Sequence, residues 1–267
     1  EAKNLGIEIK YSYVVVAAKG YKKVKSADIA KISDNKKDLS NIENIECDCI
    51  CVSGFWTPSI HLASQSGNKS EFNEKIDAFI PKKSKQKENT IGSANGKFTL
   101  EETINEAFDK GYEVSNKITE NNNKVSMPTV VEKKSTEHDK FWCVPLPKGK
   151  SYKRFLDFQN DVAVTDIELA LREGFRSIEH VKRYTTLGMA TDQGKTSNLN
   201  GLQLVSDIEN KVVPQVGHTT FRPPYTPVSI GAIVGREVGK HSKPTRKSPM
   251  HEWHEKNNAV FVDAGVW

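Results

Sequence analysis

The sequence is poor in long apolar runs. The longest obvious stretch, Tyr13 to Ala18, is closed by Lys19, far short of the roughly 20 residues a membrane-crossing helix needs. A soluble chain with no membrane partner is expected. A basic, apolar, small-residue leader is missing from its start, and cysteine is scarce. The four cysteines are grouped as Cys47, Cys49, Cys51 and a distant Cys143, which is not the spacing of a disulfide framework; a cytoplasmic location is expected. There is no internal repeat and no Gly-x-Gly-x-x-Gly, so a complete dinucleotide-binding fingerprint is excluded. The net charge of +5 lies in runs such as Lys82-Lys83-Ser84-Lys85-Gln86-Lys87, without interleaved stacking aromatics. A solvated loop explains that pattern better than a nucleic-acid surface.

What is present is a chain of 267 residues, long enough to bury a sizeable core in one large or two ordinary domains. Composition divides it into four stretches. Residues 1–52 alternate short β-branched runs (7–10, 13–18, 22–25) with polar turns and end in an apolar run at 45–52, which predicts sheet. In residues 53–120, turn signals and a glycine pair at Gly92 and Gly96 precede apolar positions three and four apart from Thr99 through Ala107 to Ile118, which predicts loop and then helix. Residues 121–140 are polar, lack periodicity and read as a linker. From Phe141 onward the pattern is helical, then rich in proline and glycine between Pro214 and Pro249.

Several motifs bear on chemistry. The alternating Cys47, Cys49 and Cys51 lie on a predicted strand, about 7 Å apart per step, unlike a zinc knuckle; buried, metal-free cysteines are expected. In the stretch from Ile91 to Gly96, Gly92, Ser93, Ala94 and Asn95 are small residues before a helix. They could let backbone N–H groups approach a phosphate, or form an ordinary glycine turn. Thr165-Asp166-Ile167-Glu168 reads as a capping box opening a helix with Ile167, Leu169, Ala170 and Leu171 inward and Gly174 at its end. Ser177 is placed to cap a second helix from Ile178 to Tyr184, with Gly188 closing the segment. His251 and His254 stand one helical turn apart, but no third ligand has suitable spacing, so a core or interface role is expected and no metal is assigned.

Three resemblances follow. The segment from Cys47 through Asp48 to Gly54, Trp56 and Pro58 resembles flavoproteins with two dinucleotide-binding domains, in which an Asp opens a buried strand that ends at Gly and then Pro. In those proteins the chain returns to its first nucleotide domain through a glycine motif, and relatives that bind FAD there carry Asp where this chain has Ser93. Residues 157–198 resemble the small ferredoxin module named for bacterioferritin-associated ferredoxin, sharing Val162, Asp166-Ile167, Gly174, Val181-Lys182, Gly188-Met189 and Gln193-Gly194. Its four cysteine positions hold Asp157, Gln159, Asp192 and Ser197, which do not replace thiolates on a [2Fe–2S] cluster. Finally, residues 47–67, 157–162, 182–198 and 219–228 resemble the alpha subunits of heterotetrameric sarcosine oxidases, whose central module is cluster-free. The run from His251 to His254 is similar to the start of a folate domain of the T-protein type.

That resemblance implies α/β and α+β domains: part of a two-dinucleotide-binding-domain fold at 1–120, a linker at 121–140, a cluster-free ferredoxin-like module at 141–240 and the start of a folate domain at 241–267. The rest of the nucleotide domain is expected upstream and most of the folate domain downstream. NAD would lie at Gly92, Ser93, Ala94, Asn95, Gly96, Phe98 and Leu100. FMN would sit at the interface with a beta subunit, near Lys195, Thr196, Ser197 and Arg222; the same residues could instead cap helices and pair within the fold. FAD would belong to the beta subunit, gamma and delta subunits would complete the complex, and tetrahydrofolate would bind in the folate domain. The implied reaction demethylates sarcosine to glycine with hydrogen peroxide as a product. No general base or nucleophile for it is evident in the chain. A subunit of a related N-methylglutamate dehydrogenase and a nonenzymatic binding module remain open.

Overall fold

The structure, a computed structural model, describes residues 2–54, 56–82, 84–119, 126–130, 140–221, 223, 225–242 and 245–267. It divides into two units, Glu1–Tyr225 and Thr226–Trp267. Most of the linker read at 121–140, and Arg222, lie outside the described residues.

The first unit opens with an antiparallel three-stranded sheet of β1 (Tyr13–Gly20), β2 (Val24–Ile32) and β3 (Leu39–Glu46), with β2 in the middle. Being central, β2 buries Ala27, Asp28 and Ala30. A buried carboxylate requires a partner. Lys19 reaches across from β1 to Asp28 at 2.7 Å, and Asn44 reaches it from β3 at 2.8 Å. These two bonds, Lys19 first, hold the Asp28 carboxyl below its ordinary range. Residues 7–10 stay outside the sheet, and the buried strand predicted from Cys47 to Gly54 does not form. Ser26 of β2 pairs with Glu46, and the Cys47 N–H donates to Lys25 O. With β2 beginning at Val24, the pairing partner has run out, and Cys49 and Cys51 are exposed rather than buried.

A short helix α1 (His61–Gln65) leads into a hairpin of β4 (Ser70–Asn73) and β5 (Ala78–Pro81). After a 3₁₀ turn at Gly92–Asn95 comes α2 (Leu100–Thr119), matching the predicted helix to within a residue. Its start is a reciprocal cap. The Thr99 hydroxyl accepts the Glu102 N–H at 3.2 Å, and the Glu102 carboxylate accepts the Thr99 hydroxyl at 3.0 Å.

The helical part begins with a hairpin of β6 (Phe155–Asp157) and β7 (Val162–Ala163), followed by α3 (Val164–Arg172), α4 (Ile178–Thr185), α5 (Asn198–Glu209) and α6 (Val213–Val216). The cap of α3 sits two residues earlier than the motif suggested. Ala163 is the N-cap, and its N–H donates to Asp166 at 2.8 Å. Ile167, Ala170 and Leu171 point inward as predicted, joined by Val164, while Leu169 is half-buried. Burying such side chains contributes about 1.5–3 kcal/mol each. Ile167, Ala170 and Leu171 share a core with Val162, Ile178, Val181, Leu187, Leu202, Val205, Val213 and Val216. Phe72 and Phe79 of the β4–β5 hairpin pack on that core, so stretches on both sides of the linker region meet in one unit.

The second unit holds α7 (Ile230–Val234), a 3₁₀ segment (Arg236–Ser242) and α8 (His251–Lys256). Within it the His251 ring lies 4.6 Å from Phe261, and His254 stays exposed beside Trp253. Among the described residues no helix is long and apolar enough to cross a membrane.

Candidate functional site

Of the four positions where the ferredoxin resemblance implies cysteines, three are tied by hydrogen bonds between the β6–β7 turn and the α4–α5 loop. Asp157 closes β6 and is buried. Its Oδ1 accepts the N–H groups of Gln159 (2.9 Å) and Asn160 (3.3 Å), and its Oδ2 accepts that of Gly188 (2.9 Å). Gln159 Oε1 accepts the Asp192 N–H at 3.2 Å. Asp192 in turn accepts Gly194 N–H at 3.0 Å and the Thr196 hydroxyl at 2.7 Å. Burial pushes the Asp192 pKa up, but the Thr196 hydroxyl and the backbone donors outweigh it and leave it lowered. Ser197, at the N-cap of α5, is fully buried, and its hydroxyl finds no partner among the described residues. Oxygen-to-backbone bonds therefore crosslink the β6–β7 turn to the α4–α5 loop. All these oxygens except that of Ser197 are already engaged. Under anaerobic reconstitution the chain is expected to take up neither iron nor acid-labile sulfide; about two of each per chain with a visible charge-transfer band would refute this.

Glycine is required in that loop at two places. Gly188 and Gly194 have φ of +65° and +77°, and a Cβ on either would lie 2.1–2.2 Å from the Asn198 side chain wedged between them.

Beside the loop opens a small cleft of about 60 Å³, lined among others by Pro58, Phe79, Lys195, Leu202, His218 and Tyr225. The Lys195 ammonium stands 3.9 Å from the Tyr225 ring centroid and donates to Tyr225 O at 2.9 Å and Asp192 O at 3.3 Å. Among the described residues, two of its three protons thus have acceptors. His61 stacks on Tyr225 at 4.4 Å with Nδ1 buried and without a partner among the described residues, and His218 lies 4.7 Å from Phe79. Burial lowers the pKa of both imidazoles, helped at His61 by the Lys195 charge. Burial also pushes the Tyr225 phenol up to about 12. Among the described residues the cleft thus sets one cation, Lys195, beside aromatic walls, a setting for an anionic or planar group.

Of the donors expected for FMN, Lys195 opens on this cleft, the Thr196 hydroxyl is turned to Asp192, Ser197 is enclosed and Arg222 lies outside the described residues. His61, His218 and Tyr225 were not singled out from sequence. His61 is remote in the chain from His218 and Tyr225, and the three share no spacing signal.

The glycine segment assigned to NAD has a different environment. The Gly92 N–H donates to Glu106 Oε2 at 2.6 Å, and Asn95 Nδ2 donates to Glu106 Oε1 at 2.6 Å. A carboxylate from α2 thus holds the donor that a pyrophosphate would need, and like charges repel there. Gly96, at φ +77°, is demanded by packing, since a Cβ would fall 2.6 Å from Ile76 Cδ1. Ser93 and Leu100 are exposed, and Ala94 and Phe98 half-buried. The segment does not fit a pyrophosphate. Titration calorimetry of the chain with NAD is expected to show no binding at micromolar concentrations; a micromolar Kd would contradict this.

Residues 151–236 match the model of the sarcosine oxidase A3 domain. The sarcosine oxidase subunit alpha of Rhizobium meliloti (strain 1021) is 39% identical over 230 residues, 84% of this chain and 23% of that protein. Its namesake from Corynebacterium sp. (strain U-96) is 34% identical over 257 residues, covering 91% of this chain and 26% of that one. The chain spans about a quarter of the length of these curated relatives. A crystal structure of L-proline dehydrogenase from P. horikoshii, 20% identical, superposes with a TM-score of 0.51 over 88% of this chain and 47% of that one, a likeness of mixed α/β fold. Over the part that it spans, this chain belongs to the sarcosine oxidase alpha-subunit family, with the A3 domain at residues 151–236.

Proposed function

We propose that the chain serves within an alpha subunit of a sarcosine-oxidising flavoenzyme, and that its A3 domain is a cluster-free module that holds a flavin's surroundings in place. The observation that carries this reading is the Asp157–Gln159–Asp192 network, which ties together the positions that the ferredoxin resemblance assigns to a cluster, using carboxylate and amide oxygens that do not ligate iron–sulfur clusters. In the proposed complex, sarcosine, oxygen and tetrahydrofolate give glycine, hydrogen peroxide and methylenetetrahydrofolate. FAD in a beta subunit would take the electrons, and the folate domain begun by residues 241–267 would receive the one-carbon unit. FMN, when bound at the interface with the beta subunit, would supply electron transfer to oxygen. Lys195 would hold its anionic group, with Tyr225 fixing the lysine and walling the cleft and His61 stacked on Tyr225. No step is assigned to NAD, because Glu106 occupies the Gly92 donor.

The test is coexpression of the full alpha subunit with beta, gamma and delta partners, assayed with sarcosine and with N-methylglutamate. Turnover of sarcosine supports the reading. Turnover of N-methylglutamate alone would replace it with the dehydrogenase, and absence of assembly and flavin would favour a binding module. In the assembled complex, Lys195→Met is expected to weaken FMN retention by about 1.5–3 kcal/mol, the value of a charge-assisted hydrogen bond, while Lys195→Arg retains most of it. Unchanged FMN content and electron transfer in Lys195→Met would remove Lys195 from the site.

A further inference from the structure

Cys49 and Cys51 are both exposed, in a segment outside any helix or strand, with their sulfurs 3.9 Å apart. The other two cysteines are placed differently. Cys47 is half-buried and anchored through its N–H to Lys25 O, and Cys143 is half-buried with its sulfur accepting an Arg154 N–H at 3.2 Å. A disulfide needs sulfurs about 2.05 Å apart and Cα atoms within about 7 Å. Residues two apart in an extended chain already lie at roughly that Cα separation. The remaining approach of about 2 Å requires side-chain rotation and a small backbone adjustment, and no ladder is broken because neither residue belongs to a strand. We propose that Cys49 and Cys51 are a modification site, forming a reversible intramolecular disulfide when the chain meets a hydroperoxide.

The chemistry balances with the peroxide as the sole oxidant. The Cys51 thiolate attacks one peroxide oxygen; the S–O bond forms, the O–O bond breaks, and the departing hydroxide takes a proton to leave as water. The Cys49 sulfur then attacks the Cys51 sulfenic acid; the S–S bond forms, the S–O bond breaks, and a second water leaves with the Cys49 proton. Each sulfur gives up one electron and the peroxide gains two. The hydrogen bond and charge of Cys51, with burial and Cys47, raise the Cys49 pKa; the same balance holds with the two sulfurs exchanged. This inference does not depend on the proposed enzymatic role, since any hydroperoxide serves.

The test uses the whole reduced chain, treated with equimolar hydrogen peroxide, then alkylated in denaturant and mapped by mass spectrometry. Two of the four thiols should be lost. The tryptic peptide 38–69, which holds all three clustered cysteines, should be lighter by two hydrogens, with Cys47 alkylated and the change reversed by dithiothreitol. Cys47→Ser should leave this outcome intact. Cys49→Ser should stop at a sulfenic acid on Cys51 that dimedone traps. Four persisting thiols, pairing through Cys47 or Cys143, or a crosslink between chains would each overturn the proposal.

Discussion

Replacing Asp157 by alanine is expected to destabilise the chain by about 2–4 kcal/mol, because it removes a buried acceptor and strands the donors it served. The three N–H groups of Gln159, Asn160 and Gly188 converge on its two oxygens, and Gly188 is itself buried. Hydrogen bonds to charged groups contribute about 1.5–3 kcal/mol each, and a buried N–H left without a partner costs about 1–3 kcal/mol. Gln159 and Asn160 are exposed and can turn to water, so the Gly188 bond should dominate. Asp157→Asn keeps one carbonyl oxygen and should lose only about 1–2 kcal/mol. Urea denaturation followed by far-UV circular dichroism, compared at constant m-value, checks both. Equal midpoints for the alanine and asparagine variants would mean that the carboxylate does not tie the two loops together.

The second large effect lies where α5 meets the loop after α4. Leu187 is fully buried, and a Cβ built on Gly201 would stand 2.5 Å from its Cδ2. Leu187→Ala should therefore cost about 2–5 kcal/mol, the range for truncating a core leucine. Gly201→Ala alone should cost about 1–3 kcal/mol, since the overpacking exceeds the gain in helix propensity of roughly 1 kcal/mol. In the Leu187→Ala background the same glycine substitution should change sign and stabilise, because the methyl then fills vacated space and keeps the propensity gain. A double-mutant cycle measures that coupling. Simple additivity would show that Leu187 does not set the helix approach.

Some of this was readable locally. The period of α2, the inward face of α3, the start of α4 after Ser177 and the left-handed turns at Gly174 and Gly188 follow from rules that reach three or four residues along the chain. The A3 resemblance was likewise carried by contiguous motifs between Asp157 and Asn198. Where local reading failed, the deciding interaction was distant. The apolar run at 45–52 has strand composition, but a strand needs a pairing edge, and β2 begins too late to provide one. Small residues at 92–96 suit a phosphate loop, but Glu106, about two turns into α2, takes the donor first.

The sequence by itself determined that the chain carries an A3 module whose ligand positions are Asp157, Gln159, Asp192 and Ser197, because residue identity alone decides whether thiolates are available to iron. Only the tertiary structure decided that Asp157, Gln159 and Asp192 become a hydrogen-bonded crosslink, that Phe72 and Phe79 share the helical core, and that Lys195, His218 and Tyr225 line one cleft, with His61 stacked on Tyr225. The physical reason is range. Caps and periodicity act over one helical turn, whereas burial and electrostatic pairing depend on which surfaces meet after the chain has closed on itself.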